Sequence, residues 1–278
     1  RSPELRKFLE DKSKNRRLTA IIDEASQLLE PQIIGVLGKV DRFILIGDEK
    51  QLPAVVIQGE STIYPDSELL QQIGIRNLSV SLFERLLQRC TQQNWNKAFD
   101  MLKDQGRMHV KIANYPNTYY YEGRLRHIEE RQTAHFAAFL PQNALQPEWP
   151  FLEALWQQRT IFLATQPENE RNRNKLEAML VNRLVAQMLP LFEPQDLESG
   201  IGIITPYRTQ IAEIKLNLSN TDAEGRIVVD TVERYQGGQK NIIIVSLAVN
   251  DAAQLKNLHV LNEAGNVDKK LNVTLTRA

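Results

Sequence analysis

Cysteine is all but absent. Cys90 is the sole thiol among 278 residues, so no disulfide can close within the chain. The four histidines, His109, His127, His135 and His259, are scattered, and with one thiol they supply too few ligands for a zinc module. Net charge is missing as well: 34 Lys and Arg stand against 34 Asp and Glu, and the isoelectric point is near 7.1. That removes a globally basic surface, the simplest basis for binding nucleic acid, so any such role must rest on local motifs. Long hydrophobic runs are lacking too. The longest, residues 242–249, falls far short of the ~20 residues that cross a bilayer, and residues 1–17 are too charged for a signal peptide. The expectation is a cytoplasmic chain without a membrane role. What is present is 42% hydrophobic residues, enough to exclude global disorder. At ~150 residues per domain the length predicts two domains, each with its own core.

Residues 18–22 are mostly apolar and run into Asp23-Glu24-Ala25-Ser26-Gln27, after which Leu28, Leu29, Ile33 and Ile34 recur at helical spacing. A short run of this kind reads as a strand buried on both faces, followed by a helix. A second run, Phe43-Ile44-Leu45-Ile46, stops at Gly47-Asp48. Acids at the carboxyl ends of two buried strands indicate a parallel α/β sheet with its active edge there. The spacing predicts a helix around Ser81-Leu82-Phe83-Glu84-Arg85-Leu86-Leu87 and another over 174–191. It predicts strands at 202–205, 227–229 and 242–247, a helix with Pro206 in its first turn, and a last element at 271–275. Strand and helix alternate in both halves, so the fold class is α/β with two doubly wound units, 1–98 and 99–278, and a linker between Cys90 and Asp104.

Asp23-Glu24 at a strand end has the chemistry that nucleotide hydrolysis needs: one acid to hold magnesium through its water shell and one to polarise the attacking water. Taken alone, the pair reads equally well as a solvated helix start. Gly47-Asp48-Glu49-Lys50-Gln51-Leu52-Pro53 changes that weighting. Asp-Glu-Ala-Ser followed by Gly-Asp-x-x-Gln-Leu-Pro resembles motifs II and III of superfamily 1 helicases. Residues 81–86 resemble the helix that ends the first motor domain in the AAA-type 1B branch, which includes the nonsense-mediated-decay RNA helicase and the Okazaki-processing helicase-nuclease. Arg107-Met108-His109, with Ile112-Ala113, Pro116-Asn117 and Tyr121-Glu122-Gly123-Arg124-Leu125, resembles that branch's motif IV. Ile204-Thr205-Pro206-Tyr207-Arg208 with Gln210 is similar to the next block, Val229-Asp230-Thr231-Val232 with Gln236-Gly237 to motif V, and residues 271–278 to motif VI.

The resemblance spans nearly the whole chain and implies two RecA-like P-loop NTPase domains, the first incomplete at its N-terminus. It also implies ATP and Mg2+ as cofactors, single-stranded DNA or RNA as partner, and ATP-driven translocation and unwinding in the 5′ to 3′ direction. Carried over by residue, Asp23 holds magnesium through water, Glu24 activates water, and Gln51 senses the terminal phosphate. Arg107 and Arg277 reach that phosphate from the second domain, and Gly237 and Gln239 line the nucleotide. Pro53, Thr205, Pro206 and Thr231 face the sugar-phosphate backbone, where hydroxyl and amide donors bind phosphate without adding net charge. A nuclease or accessory domain, fused or associated, belongs outside this chain.

The sequence departs from the pattern in several places. The phosphate-cradling Gly-x-x-x-x-Gly-Lys-Ser/Thr loop is missing, and Gly38-Lys39 is followed by Val40 where a hydroxyl is required. This chain alone is therefore expected to hydrolyse ATP poorly, and its abrupt ends read as those of a piece of a longer protein. Gly106 and Val110 replace the aromatic ring and proline that usually flank the motif IV arginine. Gln239 and Asn241 replace the two motif V acids, which loses the charge that accepts strongly from a ribose hydroxyl. Survival of Asp23, Glu24, Gln51, Arg107 and Arg277 favours a motor with weakened base and sugar recognition. The alternative is a degenerate, non-hydrolysing scaffold that binds nucleic acid or a protein. Pro65-Asp66 and Glu213-Ile214-Lys215 match a nuclease metal site in letters only, because Glu213 reads as helical. His127 and His135 read as a solvated helix face, Trp95, Trp149 and Trp156 as packing residues, Cys90 as inert, Arg107 alternatively as a surface ion pair and Arg277 alternatively as a solvated tail.

Overall fold

The computed structural model describes residues 3–4, 7, 17–56, 63–134, 154, 158–192, 200–219, 225–262 and 264–278. The chain divides into two units, Arg1–Met101 and Leu102–Ala278, where the sequence reading divides it at 98/99. His135, Trp149, Trp156 and most of the charged stretch 1–17 lie outside the described residues.

In the first unit β1 (Thr19–Ile22) runs parallel to β2 (Arg42–Leu45), with Thr19 opposite Arg42 and Ile22 opposite Leu45. A turn of 3-10 helix at Ala25–Gln27 leads from β1 into α1 (Glu30–Leu37). Side chains alternate across a strand, so Ala20, Ile22 and Leu45 share one face, where they meet Ile33 and Leu37 of α1 and Leu82 and Leu86 from a later helix. The other face is open: Ile21 is 66% exposed and Ile44 51%. The expectation of strands buried on both faces is corrected here, because among the described residues the helices of this core lie on the Ala20 and Ile22 side only.

After the short α2 (Glu68–Gln72) comes α3 (Leu82–Gln92), and its first turn explains the block that begins at Ser81. The Ser81 hydroxyl accepts the Glu84 N–H at 3.1 Å, an N-cap worth about 1 kcal/mol. Leu82 is buried in the core. Arg85 grips Glu30 at the start of α1 with two bonds, Nε to Oε2 at 2.9 Å and Nη2 to Oε1 at 2.5 Å. Trp95, just beyond α3, is 54% exposed, so it is not the packing residue expected.

The second unit opens with a two-residue parallel pair, β3 (Asp104–Gln105) and β4 (Arg126–His127), with α4 (Val110–Tyr119) between them. His127 therefore sits in a strand and not on a helix face. Next come α5 (Lys175–Met188), β5 (Ile201–Ile204), α6 (Arg208–Leu218), β6 (Val228–Asp230), α7 (Val232–Tyr235), β7 (Ile242–Val245) and α8 (Lys269–Leu275). β5, β6 and β7 make a parallel sheet in the order β6-β5-β7. Every residue of the central β5 is buried, and Ile201 and Ile203 meet Val181, Val185, Ile214 and Val229 in the core. The edge strand β7 is only half-buried, where its apolar run predicts full burial. α6 begins at Arg208 after the N-cap Tyr207, so Pro206 lies before the helix and not in its first turn. Glu213 and Lys215 fall inside α6, as the dismissal of a nuclease site requires.

Tyr235 joins α7 to the sheet. Its hydroxyl accepts the Ile203 N–H at 3.2 Å and donates to the Val228 carbonyl, so one phenol bridges β5 and β6. Burial pushes its pKa up to about 12 and keeps the donor protonated. The side chain fits because residue 202 is glycine: a Cβ there would lie 2.9 Å from the Tyr235 oxygen and 2.7 Å from Lys240 Cγ. Gly202→Ala is expected to cost about 1–3 kcal/mol by forcing the anchored ring out of register, read as a lowered denaturant midpoint with an unchanged slope.

Candidate nucleotide site

The acids of the first unit follow β1 directly. Glu24 adopts a left-handed backbone, φ 51° and ψ 35°, which costs a residue with a Cβ about 1–3 kcal/mol. Its N–H donates to Asp23 Oδ1 at 2.9 Å, and Gln27 Nε2 donates to its Oε2 at 2.6 Å, so both carboxylates are oriented while both residues stay exposed. The loop after β2 is stitched alongside. The Ala25 N–H donates to the Ile46 carbonyl at 2.7 Å, and the Asp48 N–H donates to Ser26 Oγ at 3.2 Å. A Cβ on residue 47 would lie 2.9 Å from the Ser26 nitrogen, so this approach needs Gly47. Asp48 then shapes its own turn, accepting from Lys50 N at 2.9 Å and from Gln51 Nε2 at 2.8 Å. Asp23, Glu24 and Gln51 thus stand on two loops fastened through Ser26, with Leu52 buried beneath and Pro53 half-buried.

In the second unit, residues far apart in sequence converge. Arg107 is exposed, and its Nε donates to Gln239 Oε1 at 3.1 Å while its Nη1 donates to the Thr276 carbonyl at 3.3 Å. It is not the surface ion pair that the bland reading offers. Arg277 is 2% exposed, which removes the solvated tail. Its guanidinium donates to the carbonyls of Val273 (3.1 Å) and Gly238 (3.3 Å) and to Thr276 Oγ1 (3.0 Å), and its own carbonyl accepts the Lys240 N–H at 2.9 Å. Gly237 turns the chain between α7 and Gln239 with φ 86°, a conformation side chains resist.

Two glutamines shape the Arg107 loop. Gln105 Oε1 accepts the N–H groups of Arg107 (3.1 Å) and Met108 (2.8 Å). Gln132, 2% exposed, spends its whole amide: Oε1 accepts from Ile128 and Glu129, and Nε2 donates to Gln105 and Met108, each bond at 2.9 Å. Sequence reasoning missed Gln132 because nothing in its neighbourhood differs from a polar loop; its role exists only through space. His109 caps α4, its Nδ1 accepting the Lys111 N–H at 3.1 Å while Nε2 lies 3.2 Å from the Ala134 carbonyl. These two contacts define a neutral ring with its proton on Nε2.

Of the residues assigned to a nucleic-acid strand, Pro206 and Thr231 are half-buried and Pro53 belongs to the other unit. Thr205 is fully buried, and its hydroxyl has no hydrogen-bond partner among the described residues. Where it is expected to face a strand, the side chain lies inside; of its two neighbours Ile204 is buried and Pro206 half-buried. Among the described residues no group of three or more His, Cys, Asp or Glu could hold a metal by itself. Magnesium asks for less, one or two carboxylates with water and phosphate oxygens completing its shell, and the exposed Asp23 carboxylate fits that demand.

Gln132→Leu takes the side-chain acceptor from the Ile128 and Glu129 N–H groups and one donor from each of the Gln105 and Met108 carbonyls, of which Met108 keeps its bond from Gln105 Nε2; it is expected to lower stability by about 1–3 kcal/mol, read by thermal unfolding. His109 generates a pH dependence. Burial first, then Arg159 and Lys111, hold its pKa below 6.5, so the unfolded chain takes up a proton more readily. The neutral cap contributes fully above pH 6.5, and its contribution is lost as pH falls toward the depressed value. Chemical unfolding between pH 7 and 5 should show the midpoint dropping on acidification, and His109→Asn, which caps at any pH, should flatten that slope.

A profile described as an AAA domain matches residues 78–278, and a second of the same description matches residues 11–59. The chain is 33% identical over 279 residues to the DNA replication ATP-dependent helicase/nuclease DNA2 of Xenopus laevis, an alignment covering 93% of this chain and 24% of that protein. It is 33% identical over 259 residues to the protein of that name from Gallus gallus, with 93% and 22% covered. To the probable helicase senataxin of Homo sapiens it is 28% identical over 265 residues, with 93% and 9% covered. The chain spans about a quarter or less of the length of these relatives. With the profile covering most of its length and parallel α/β sheets beneath the matched motifs, the chain belongs to the AAA-domain family of superfamily 1B helicases.

Proposed function

We propose that this chain supplies most of the motor core of an ATP-dependent helicase that couples hydrolysis to 5′ to 3′ movement along single-stranded DNA or RNA. The observation that carries this is the convergence of Arg107, Gln239 and Arg277 on one turn of the second unit, although they are spread over residues 107–277 of the sequence. Residues so far apart in sequence have no chance reason to meet around the Gly237 turn. Asp23 holds the magnesium shell and Glu24, fixed by Gln27, takes a proton from the attacking water. Gln51, whose amide both donates and accepts, links phosphate to the loop it sits on. Arg107 and Arg277 neutralise charge that develops on the terminal phosphate. Magnesium, when bound, lowers the negative charge that the nucleophile meets.

Arg277 bears on this reading, because its buried guanidinium donates to the Val273 and Gly238 carbonyls and the Thr276 hydroxyl of its own unit and would exchange such bonds to reach a phosphate. Exchange of these neutral acceptors for an anionic one is favourable, since hydrogen bonds between two charged groups are roughly twice as strong as neutral ones. A nuclease partner, fused or associated as in the name of the Xenopus relative, would act from residues outside this chain.

Steady-state ATP hydrolysis by the full-length protein, with and without single-stranded DNA or RNA, tests the proposal. Hydrolysis should rise with one of the two strands, and Glu24→Gln should reduce it by about 10²- to 10⁴-fold while ATP still binds. No stimulated hydrolysis from a protein that carries a phosphate-binding loop would sink the motor and leave the non-hydrolysing scaffold.

A further inference from the structure

We infer that Gln239 is a positioning residue for Arg107 and not a contact to the ribose of the nucleotide. The inference rests on the functional reading above and gives it a detail that the motif resemblance places elsewhere. Three observations carry it. First, the Gln239 carbonyl oxygen, the atom that would accept from a sugar hydroxyl, already accepts Arg107 Nε at 3.1 Å. Second, the other Arg107 bond runs to the Thr276 carbonyl at 3.3 Å, so both of its acceptors are neutral, and among the described residues no carboxylate pairs with it. Third, the backbone on both sides is fixed independently: Gln105 and Gln132 frame the Arg107 loop, and Arg277 holds the Gly238 carbonyl next to Gln239.

Electrostatics gives the arrangement its purpose. A glutamate at 239 would form an ion pair with the exposed Arg107, and an incoming phosphate would have to displace that carboxylate. A glutamine aims the guanidinium without competing for its charge. The arginine stays oriented and the cost of handing it to an anionic ligand falls. The replacement of the usual motif V acid is then an adjustment of phosphate sensing and not decay of sugar recognition.

The test is titration of ATP, ADP and 3′-deoxy-ATP onto the full-length protein by calorimetry, with hydrolysis rates, for wild type, R107A, Q239A, Q239E and the R107A/Q239A double variant. Gln239 is exposed, so thermal unfolding should confirm that its variants fold like wild type. R107A should weaken ATP more than ADP. Q239A should do the same by roughly tenfold, the low end for loss of one hydrogen bond to a charged group. The double variant should be no worse than R107A alone, because a residue acting through Arg107 has nothing to add once Arg107 is gone. Q239E should weaken ATP selectively, with partial recovery as salt rises and screens the new ion pair. Equal losses of ATP and ADP in Q239A, additivity with R107A, and disappearance of the penalty with 3′-deoxy-ATP would assign Gln239 to the ribose and overturn the inference. A wild-type protein that binds neither nucleotide would instead overturn the functional reading, and this inference with it.

Discussion

The second unit depends on the burial of β5 between its two neighbours. With every residue of β5 enclosed, nothing can be added to its face without displacing something, and Gly202 is where the space is used. The Tyr235 hydroxyl comes in there to bridge Ile203 and Val228, so α7 is anchored to the sheet by hydrogen bonds as well as by apolar contact. The turn that follows, from Gln236 to Gln239, starts from this fixed point. Gly238 offers its carbonyl to Arg277 and Gln239 its side chain to Arg107, so an acceptor of each arginine lies just after this anchored point.

The first unit repeats the device on a smaller scale. Gly47 lets the loop after β2 come against Ser26, and the Ser26 hydroxyl holds the Asp48 amide. The two loops that carry Asp23, Glu24 and Gln51 are coupled by backbone approach, so displacement of one is felt by the other. Glu24, next to this junction, carries a left-handed backbone, one of five such non-glycine residues among those described. Both units therefore use glycine to bring backbones close and short polar bonds to lock them. Among the described residues most charged groups remain at the surface, while Lys269 and Arg277 are buried.

Much of this was legible in the sequence. The strand and helix alternation, the acids after β1 and the Gly-Asp-x-x-Gln turn were visible because their signals are local: apolar runs of strand length, and turn residues directly after them. The block at Ser81 was legible for a similar reason, although its content was not. Ser81 and Glu84 form a cap that spacing can suggest, whereas the grip of Arg85 on Glu30 joins residues separated by β2 and α2. Where the reading failed, it failed on burial. Ile21 and Ile44 look like core and stand in the open, while Thr205 and Arg277 look like surface and are enclosed. Hydropathy reports what a side chain prefers, and burial depends on which elements happen to cover it.

Gln132 marks the limit most clearly. It resembles any glutamine in a polar loop, yet its four bonds hold the segment that presents Arg107. By itself, the sequence determined the α/β class, the order of the motifs and the chemical identity of the groups at the motif positions, since these follow from residue type and short-range spacing. Tertiary structure alone decided which of those groups are oriented, which are enclosed and which hold one another. Hydrogen bonds between residues over a hundred positions apart depend on distances that no local pattern encodes.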